Sequence, residues 1–294
     1  MRIGVVINPI AGRLGSRPGE SQRRQAFVES ALRGAGVESD VRLTAGPGHA
    51  RTLAERCVAD GCDVVVAMGG DGTVNEVAQA LVGTSVPLGV LACGSGDGLA
   101  RGLGLPSDWS RAMDVILRGS TKVIDVGFVD DHMFLNVAGF GFDAAVGQVF
   151  ATRRTRGAWG YVSTAFRLVW RYTPTRYRLE LDGEVVEGRK FLIVFANAPE
   201  YGNGAVLAPE ADVTDGVLDV GLVDGEGGPW TQIWRARRLY IRQGAPARGL
   251  DRLRVQRARL VADELVYHVD GEVHVARGAV DVTVQPRALG VRVT

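Results

Sequence analysis

Three glycine-rich segments lie directly after strand-like apolar runs in the first half of the chain. They are Asn8–Gly12, Gly69–Thr73 and Gly94–Gly98. Glycine lets a backbone turn tightly and approach a ligand without a Cβ clash, and the N–H groups at a helix start favour an anion. Because a helix-like segment follows Gly69–Thr73 at once, the pattern predicts a phosphate site, with Asp71 beside it serving a cation or a proton transfer. A plain β-turn with Thr73 as helix N-cap is the alternative.

Candidate catalytic carboxylates lie in the second half of the chain. Asp270, Gly271 and Glu272 follow a strand-like run, and a carboxylate is a residue type that can accept a proton in catalysis. However, Asp-Gly is also the commonest hairpin turn dipeptide. The segment Asp182–Glu184 has the same tripeptide between two strand-like runs, so local sequence does not separate a catalytic carboxylate from a hairpin turn.

The elements that must position the glycine segments alternate over residues 1–125. This βαβα rhythm predicts a mostly parallel sheet with helices on both faces, and ligands bind at the carboxyl ends of such strands. The glycine segments fall at those ends. The predicted strands are Ile3–Ile7, Val37–Leu43, Val64–Met68 and Leu88–Leu91, and the predicted helices are Gln22–Arg33, His49–Ala59, Val74–Val82 and Trp109–Arg118.

Short β-rich segments replace that rhythm from Val126 onward, with two helices near Trp159–Trp170 and Pro229–Ile241. Many strands with glycine-bearing turns predict a β-sandwich. We therefore expect a three-layer α/β/α domain at 1–125 and a C-terminal β-sandwich domain at 126–284. The predicted strands are Met133–Ala138, Tyr177–Leu181, Phe191–Ala196, Val217–Val223, Leu253–Val261, Leu265–Val269 and Val280–Val284.

Composition indicates the class of protein and the cellular compartment that we expect for it. A net charge of +1 over 294 residues argues against a dedicated nucleic-acid binder. Three cysteines fit a reducing cytoplasm, and no apolar run reaches the roughly 18 residues of a membrane span, so any membrane contact is expected to be peripheral. Phe150–Tyr177 interleaves arginines with aromatic residues. That pattern suits an anionic membrane surface, but a core-packed helix with a solvated arginine face explains it too.

The order of these motifs resembles the diacylglycerol kinase catalytic family, which includes bacterial lipid kinases, sphingosine kinases and ceramide kinase. Gly69–Thr73 followed by Asn75 and Glu76 is similar to the nucleotide loop of that family. NAD kinases and phosphofructokinases share the Gly-Gly-Asp-Gly core, so the other matches give the specificity. In family order these are Asn8–Gly12, Thr44, Gly94–Arg101, Asn136–Ala144 and Asp270–Glu272.

The resemblance implies an ATP-dependent kinase that phosphorylates a lipid hydroxyl (diacylglycerol, a sphingoid base or a related lipid alcohol) and acts in phospholipid biosynthesis. It implies an NAD kinase/diacylglycerol kinase-like fold in which 285–294 return to the ATP-binding domain. The cleft to the lipid-substrate domain would be the active site, Mg²⁺ would bridge the phosphates of ATP, and a homodimer is left open. The implied nucleotide-binding residues are Asn8, Pro9, Gly12, Thr44, Gly69, Gly70, Asp71, Gly72, Thr73, Asn75, Glu76, Gly94, Ser95 and Gly96.

Further roles follow from the same resemblance. Glu272 would be the proton acceptor, with Asp71 as the other catalytic candidate. Asp143 would bind the lipid headgroup, although it could equally cap the helix after Phe142. The family's structural magnesium would be held by Asp212, Asp215 and the Val217 carbonyl, for which a solvated acidic turn is the alternative.

Asp97 departs from the family pattern, which has asparagine at this position. Asparagine donates and accepts hydrogen bonds, whereas an ionised aspartate only accepts, and its charge would repel phosphates unless a cation such as Arg101 offsets it. We place Asp97 and Arg101 with the substrate-binding residues. The Gly-Ser-Gly form of Gly94–Gly96 is closer to sphingosine kinase-like members. A soluble-metabolite kinase of the NAD kinase type and an inactive nucleotide-binding regulator are the alternative functions.

Overall fold

The computed structural model describes residues 1–12, 17–151, 158–202, 205–206, 208, 210–239 and 248–294. These residues form two compact units. The first comprises Met1–Ile124 and Arg287–Thr294, together with Gly202. The second comprises Asp125–Tyr201 and Ala205–Pro286.

The first unit alternates strands and helices. The strands pair in parallel in the order β4, β3, β1, β2. A parallel sheet follows from the βαβ connections, because each helix returns the chain to the same end of the sheet. The strands are β1 (Arg2–Ile7), β2 (Glu38–Leu43), β3 (Val64–Gly69) and β4 (Leu88–Ala92), and the helices are α1 (Glu20–Gly34), α2 (His49–Ala59), α3 (Asp71–Leu81), α4 (Gly98–Gly102) and α5 (Trp109–Arg118).

Helices cover both faces of this sheet. Alternate residues of β1, such as Ile3 and Val5, pack in one buried cluster with Val28 of α1 and Ile116 of α5. The residues between them point to the other face, where α2 and α3 pack against β1 and β3. This arrangement confirms the predicted three-layer α/β/α architecture.

The second unit is dominated by antiparallel strands. Strand β5 begins in the first unit and β15 ends there, where Val291 of β15 pairs in parallel with Leu88 of β4. The strands are β5 (Ser120–Val129), β6 (His132–Phe134), β7 (Val137–Gly141), β8 (Thr175–Leu181), β9 (Glu184–Ala196), β10 (Glu200–Gly202), β11 (Ala205–Val206), β12 (Leu218–Asp224), β13 (Leu250–Val255), β14 (Arg257–Val269) and β15 (Glu272–Val293).

In the described part of this unit, three helices accompany these strands: α6 (Phe142–Ala151), α7 (Ala158–Leu168) and α8 (Pro229–Leu239). The strands run in the order β13, β12, β9, β7, β14, β15, and β8 also pairs with β9 and β14. Their inward residues, among them Phe140, Phe195 and Leu260, form one buried apolar cluster. No helix in the described part of the chain combines the length and the apolar character needed to cross a bilayer.

Two predicted strands are broken by distant carboxylates. The predicted strand Met133–Ala138 is two strands, because the N–H groups of Leu135 and Asn136 donate to Asp270 at 2.7 and 3.0 Å. Likewise, Leu253–Val261 is divided at Gln256, whose N–H donates to Asp182 at 3.0 Å. Local periodicity does not reveal such partners, since they lie far away in sequence.

Other predicted segments differ in length or lie partly outside the description. Val280–Val284 is the middle of β15, a strand of 22 residues. The predicted helix Pro229–Ile241 is described as far as Leu239, and Ile241 lies outside the described residues. Residues 152–157 of the arginine-rich and aromatic segment also lie outside them.

Candidate active site

The predicted nucleotide residues lie at one edge of the first unit's sheet. Strands β1, β3 and β4 are parallel neighbours, with Ile7 opposite Met68 and Gly69 opposite Ala92. Their carboxyl ends therefore meet at the same edge, and the three glycine loops begin there. Thr44 joins this edge after β2, where its N–H donates to the Ile7 carbonyl at 2.9 Å.

The three loops are packed too closely for larger residues. Gly12 has a φ of 68°, and a Cβ there would collide with the Cys93 carbonyl oxygen. A Cβ on Gly94 would lie 2.8 Å from the Cα of Gly70 and 2.6 Å from Oδ1 of Asp97. Glycine is therefore required where the first loop meets the third and where the second meets the third.

Asn8 and Thr73 connect the first loop to the second. The side-chain amide of Asn8 donates to the Thr73 hydroxyl at 3.0 Å, and its carbonyl oxygen accepts the Ile10 N–H at 3.1 Å. Helix α3 begins at Asp71 with Gly70 at the N-cap. The alternative that made Thr73 an N-cap is therefore wrong, because its hydroxyl holds the neighbouring loop instead.

Asp71 connects α3 to the third loop. Its two carboxylate oxygens accept the N–H groups of Asp97 and Gly98 at 2.9 and 2.7 Å. The carboxylate of Asp97 in turn accepts the Gly94 N–H at 2.9 Å. Backbone donors thus hold the two carboxylates side by side. Asp71, the first residue of α3, fixes the shape of the third loop.

The charge of Asp97 is costly in this position. Burial raises its pKa most, and the neighbouring charge of Asp71 raises it further, while the Gly94 N–H and Arg101 oppose the shift. Asp97 also has a φ of 50°, a left-handed conformation that asparagine and aspartate tolerate better than most residues. The structure uses this side chain as an acceptor, which asparagine would serve equally well. Arg101 is exposed on the short helix α4.

Glu76 holds the neighbouring helix α2, whereas Asn75 forms a hydrogen bond within α3. The Glu76 carboxylate accepts the N–H groups of Gly48 and Ala50 at 2.9 and 3.0 Å, so it caps the start of α2, which has no side-chain cap of its own. The side-chain oxygen of Asn75 accepts a hydrogen bond from Gln79 at 2.7 Å. Direct contacts of Asn75 and Glu76 with a nucleotide remain predictions.

Arg24 is a site residue that the sequence analysis missed. Its side chain is only 2% exposed, and its guanidinium donates to the carbonyls of Asn8 and Ala11 at 2.8 Å each. Glu20, also buried, pairs with it at 3.4 Å. A signal was present, because Arg24 lies on the α1 stripe that continues with the buried Val28, and a charge on an apolar stripe calls for a partner.

The Asp270–Glu272 hairpin and its internal copy Asp182–Glu184 have the same local structure. Asp270 and Asp182 both have a φ of 47°. The Asp270 carboxylate accepts three backbone N–H groups, at 2.7 to 3.1 Å, and that of Asp182 accepts two on the β13–β14 connection. Glu272 and Glu184 are both exposed at the starts of their strands. Backbone geometry alone does not distinguish them.

Their side-chain surroundings do differ. In the β14–β15 ladder, His274 lies opposite Tyr267, and the Tyr267 hydroxyl lies 3.0 Å from Nδ1 of His132. The His132 and His274 rings lie 3.9 Å apart between centroids. Burial lowers the pKa of His274 first, and His132 lowers it further, whereas the charge of Glu272 opposes this. Ionisable rings therefore accompany Glu272, and the sequence analysis missed this cluster.

Asp143 lies in the first turn of α6 and contacts His268, whose Nε2 is 2.8 Å from its carboxylate. His268 is buried on β14 and pairs with Val273, next to the pair that contains Glu272. Because side chains alternate along a strand, His268 and Glu272 point to opposite faces of this ladder. A headgroup contact for Asp143 remains a prediction.

The predicted magnesium loop is held by its own side chains. The Asp212 carboxylate accepts the backbone N–H and the hydroxyl of Thr214 at 3.0 and 2.7 Å. Asp215 accepts the Val217 N–H at 3.2 Å and forms an ion pair with Arg254. Within the described residues no group of three histidine, cysteine, aspartate or glutamate side chains is arranged to hold a metal ion. Asp215 thus already has a cationic partner in Arg254, and binding of magnesium by Asp212, Asp215 and the Val217 carbonyl stays a prediction.

The chain matches two protein-family models. Residues 2–129 match the family model of the diacylglycerol kinase catalytic domain. Residues 136–293 match that of the YegS C-terminal NAD kinase beta sandwich-like domain. The second match confirms the predicted β-sandwich.

Individual proteins similar to this chain carry the names of lipid kinases. A diacylglycerol kinase of Mycobacterium tuberculosis is 32% identical over 234 residues, which cover 76% of this chain and 74% of that protein. The corresponding Bacillus subtilis protein is 30% identical, with 74% and 72% covered. A YegS-like lipid kinase of Klebsiella pneumoniae is 32% identical, with 72% of each chain covered.

Solved structures show the same fold. A crystal structure of a diacylglycerol kinase from Bacillus anthracis matches 100% of this chain and 97% of that chain, with a TM-score of 0.75 at 18% identity. A second structure from that organism gives a TM-score of 0.79 at 19% identity. The two family models together span nearly the whole sequence. The chain therefore belongs to the diacylglycerol kinase family of lipid kinases.

Proposed function

We propose that this kinase transfers the γ-phosphoryl group of ATP to the hydroxyl of a lipid alcohol, and that diacylglycerol is the first substrate to test. The relatives that carry the name diacylglycerol kinase support this choice. Sphingoid bases and related lipid alcohols are the other acceptors to compare. In the reaction the substrate oxygen forms a bond to the γ-phosphorus, the bond from that phosphorus to the β–γ bridging oxygen breaks, and ADP leaves.

The observation that carries the proposal is the fixed set of three glycine loops at one sheet edge. Asn8 with Thr73 ties the first loop to the second, and Asp71 with Asp97 ties the second to the third. Loops held in this way need no reorganisation before a ligand binds, and the N–H groups at the start of α3 can then face a polyphosphate. Helix α3 starts in the middle loop and adds the positive end of its dipole.

Asp71 is proposed to orient the site rather than to take the substrate proton. Both of its oxygens already accept backbone N–H groups. Each carboxylate oxygen has two lone pairs, so Asp71 can hold the third loop and still face a Mg²⁺ ion that arrives with ATP. That ion would neutralise charge on the phosphates.

Glu272 is the proposed acceptor of the hydroxyl proton. Its carboxylate is exposed at the first residue of β15, and its backbone is fixed by pairing with Val269 and by the Asp270 turn. A carboxylate on a fixed strand end can take the alcohol proton as the new oxygen–phosphorus bond forms. Glu184 has the same turn without the neighbouring histidines, so it provides a natural comparison.

The test is to incubate the full chain with labelled ATP, Mg²⁺ and a total lipid extract and then to identify the labelled lipid. We expect a phosphorylated lipid alcohol, with phosphatidic acid if diacylglycerol is the acceptor. Parallel reactions with NAD and with no acceptor separate the alternatives. Labelled NADP instead of a labelled lipid would indicate a soluble-metabolite kinase, and bound ATP without any labelled product would indicate a nucleotide-binding regulator.

A further inference from the structure

Four large aromatic side chains of the second unit are exposed to solvent. They are Phe166, Trp170, Trp230 and Trp234, with exposed fractions of 56%, 47%, 65% and 52%. Among the described residues, these are the exposed phenylalanine and tryptophan side chains. The chain has five tryptophans, so three of its five largest apolar side chains face solvent, although burying such rings is a major source of stability.

The four rings form one surface, which we call the aromatic patch. Trp170 contacts Trp230 edge-on with ring centroids 5.2 Å apart, and Phe166 lies 6.3 Å from Trp170. Trp234 follows Trp230 by one helical turn on α8, and the guanidinium of Arg238 stacks over it at 4.9 Å. The spacing of four residues puts these side chains on one face of the helix.

The opposite faces of the same segments anchor the patch. Val169, beside Trp170, is buried in the cluster of Phe191, and Ile233 of α8 packs against that cluster. The inward residues therefore anchor these segments to the core, while the rings of the patch face outward. An apolar surface left open in this way indicates an interaction site.

The patch lies in the two acid-free stretches of the sequence. Residues 144–179 and 227–250 contain no aspartate or glutamate, but they contain twelve arginines. Because the whole chain carries a net charge of only +1, the remaining residues together carry −11. The described arginines of these stretches are Arg167, Arg171, Arg176, Arg178, Arg235, Arg237, Arg238 and Arg248. Among them, Arg176 and Arg178 already pair with Glu187.

We propose that the aromatic patch docks the protein on an anionic lipid bilayer, with the tryptophans at the interface and the arginines on the headgroups. Tryptophan suits this position because it combines a large apolar ring with a polar N–H group. Each arginine near an anionic surface adds attraction of about 1 kcal/mol. A second copy of the chain fits less well, because a symmetric contact would place two arginine-rich surfaces against each other.

This inference deepens the proposed function, since a kinase for lipid alcohols must reach its substrate in a membrane, but its test needs no catalysis. The full chain is mixed, without ATP, with phosphatidylcholine vesicles that either contain or lack phosphatidylglycerol, and the bound fraction is measured by flotation. We expect binding to the anionic vesicles, weak binding to the neutral ones, and loss of binding at high salt.

Two variants and a control locate the surface. Trp230→Ala with Trp234→Ala should lower binding to the anionic vesicles at least tenfold. Arg171→Gln with Arg237→Gln should also weaken binding to the anionic vesicles, although it removes no apolar side chain. Val185→Ser with Val275→Ser, exposed apolar residues of the same unit, should bind like the wild type. Circular dichroism and sedimentation equilibrium check the fold and the oligomeric state of every variant.

The outcomes separate this inference from the proposed function. Three results would overturn the docking surface. They are equal binding of the wild type to anionic and neutral vesicles, no binding of the wild type to either, and undiminished binding of both patch variants to the anionic vesicles. So would loss of a dimer in the tryptophan variant with vesicle binding unchanged, because a second copy would then be the occupant. Vesicle binding as predicted in a protein that phosphorylates no lipid would keep the docking surface and remove the function.

Discussion

At the scale of single residues, several motif carboxylates serve backbone N–H groups. Asp71 accepts two such donors from the third loop, Glu76 accepts two at the start of α2, and Asp270 accepts three at the β6–β7 break. A carboxylate that accepts several N–H groups fixes its neighbours strongly. The acidic residues of these motifs therefore shape the site as well as carrying charge.

The first prediction concerns Asp97→Asn. Asparagine keeps an acceptor for the Gly94 N–H but removes the charge beside Asp71. Because burial and Asp71 raise the pKa of Asp97 in the folded protein, the folded state binds this proton more tightly than the unfolded state. The wild type thus loses stability as the pH rises from the ordinary aspartate pKa through the raised folded value. We expect the variant to unfold at a higher temperature at pH 8.

The pH dependence gives the check on that prediction. The advantage of Asp97→Asn should shrink as the pH falls through the raised folded pKa of Asp97 toward the ordinary aspartate pKa, because Asp97 is then increasingly protonated in the folded wild type. Thermal unfolding of both proteins across this range measures the difference. A difference in unfolding temperature that is constant with pH, or a variant that is less stable at pH 8, would contradict the assigned cause.

The second prediction concerns Arg24→Leu. This change leaves two loop carbonyls, of Asn8 and Ala11, without their donor and leaves Glu20 buried without its partner. Loss of one partner of a buried pair costs roughly 3 to 5 kcal/mol, and ATP binding should weaken because the first loop loses its support. Arg23→Leu is the matched control, since Arg23 pairs with the same Glu20 but its side chain is 67% exposed.

Urea unfolding and calorimetric titration with ATP measure the two effects. For Arg23→Leu we expect a stability change of about 1 kcal/mol or less and unchanged ATP affinity. Similar values for the two variants would show that the buried arginine has no special role in the loop.

At the scale of elements, the site depends on how closely three loops approach at the ends of β1, β3 and β4. The third prediction is that Gly94→Ala weakens ATP binding at least tenfold and destabilises the protein by roughly 1 to 3 kcal/mol. The added methyl group would lie 2.8 Å from the Cα of Gly70, so the second and third loops must separate. Titration with ATP and denaturant unfolding measure both effects.

Gly34→Ala controls for the removal of a glycine in the same unit. Among the described residues, no atom lies within 4 Å of a Cβ added at Gly34, which ends α1. We expect stability to stay the same or to rise by up to about 1 kcal/mol, with unchanged ATP binding. If Gly94→Ala binds ATP as the wild type does, close approach of the loops is not what forms the nucleotide site.

Sequence patterns predicted correctly the helices and strands that depend on residues near to them in the sequence. The βαβ rhythm gave the bounds of α2 and α5 as observed, because helix periodicity is a local property. They did not predict the division of Met133–Ala138, since its cause is Asp270, more than 130 residues away. The place of Arg24 on the apolar stripe of α1 indicates that it has a partner, but the sequence does not identify that partner, because its acceptors are the backbone carbonyls of Asn8 and Ala11.

At the scale of the whole molecule, two compact units carry separate sets of predicted site residues. The first unit holds the glycine loops and Asp71, and the second holds Glu272 and Asp143. Matches to the catalytic-domain and sandwich models cover both units. The aromatic patch lies in the second unit, so the proposed lipid-binding surface and the proposed proton acceptor belong to the same unit.

The measurement that tests the account most directly compares Glu272→Gln with Glu184→Gln. The two variants lie in different turns that have the same tripeptide sequence, and each variant removes one exposed carboxylate. Initial rates of lipid phosphorylation and calorimetric ATP binding are measured for both. We predict that Glu272→Gln lowers turnover about 100-fold or more while ATP still binds, and that Glu184→Gln behaves like the wild type. Undiminished turnover of Glu272→Gln would contradict the proposed mechanism.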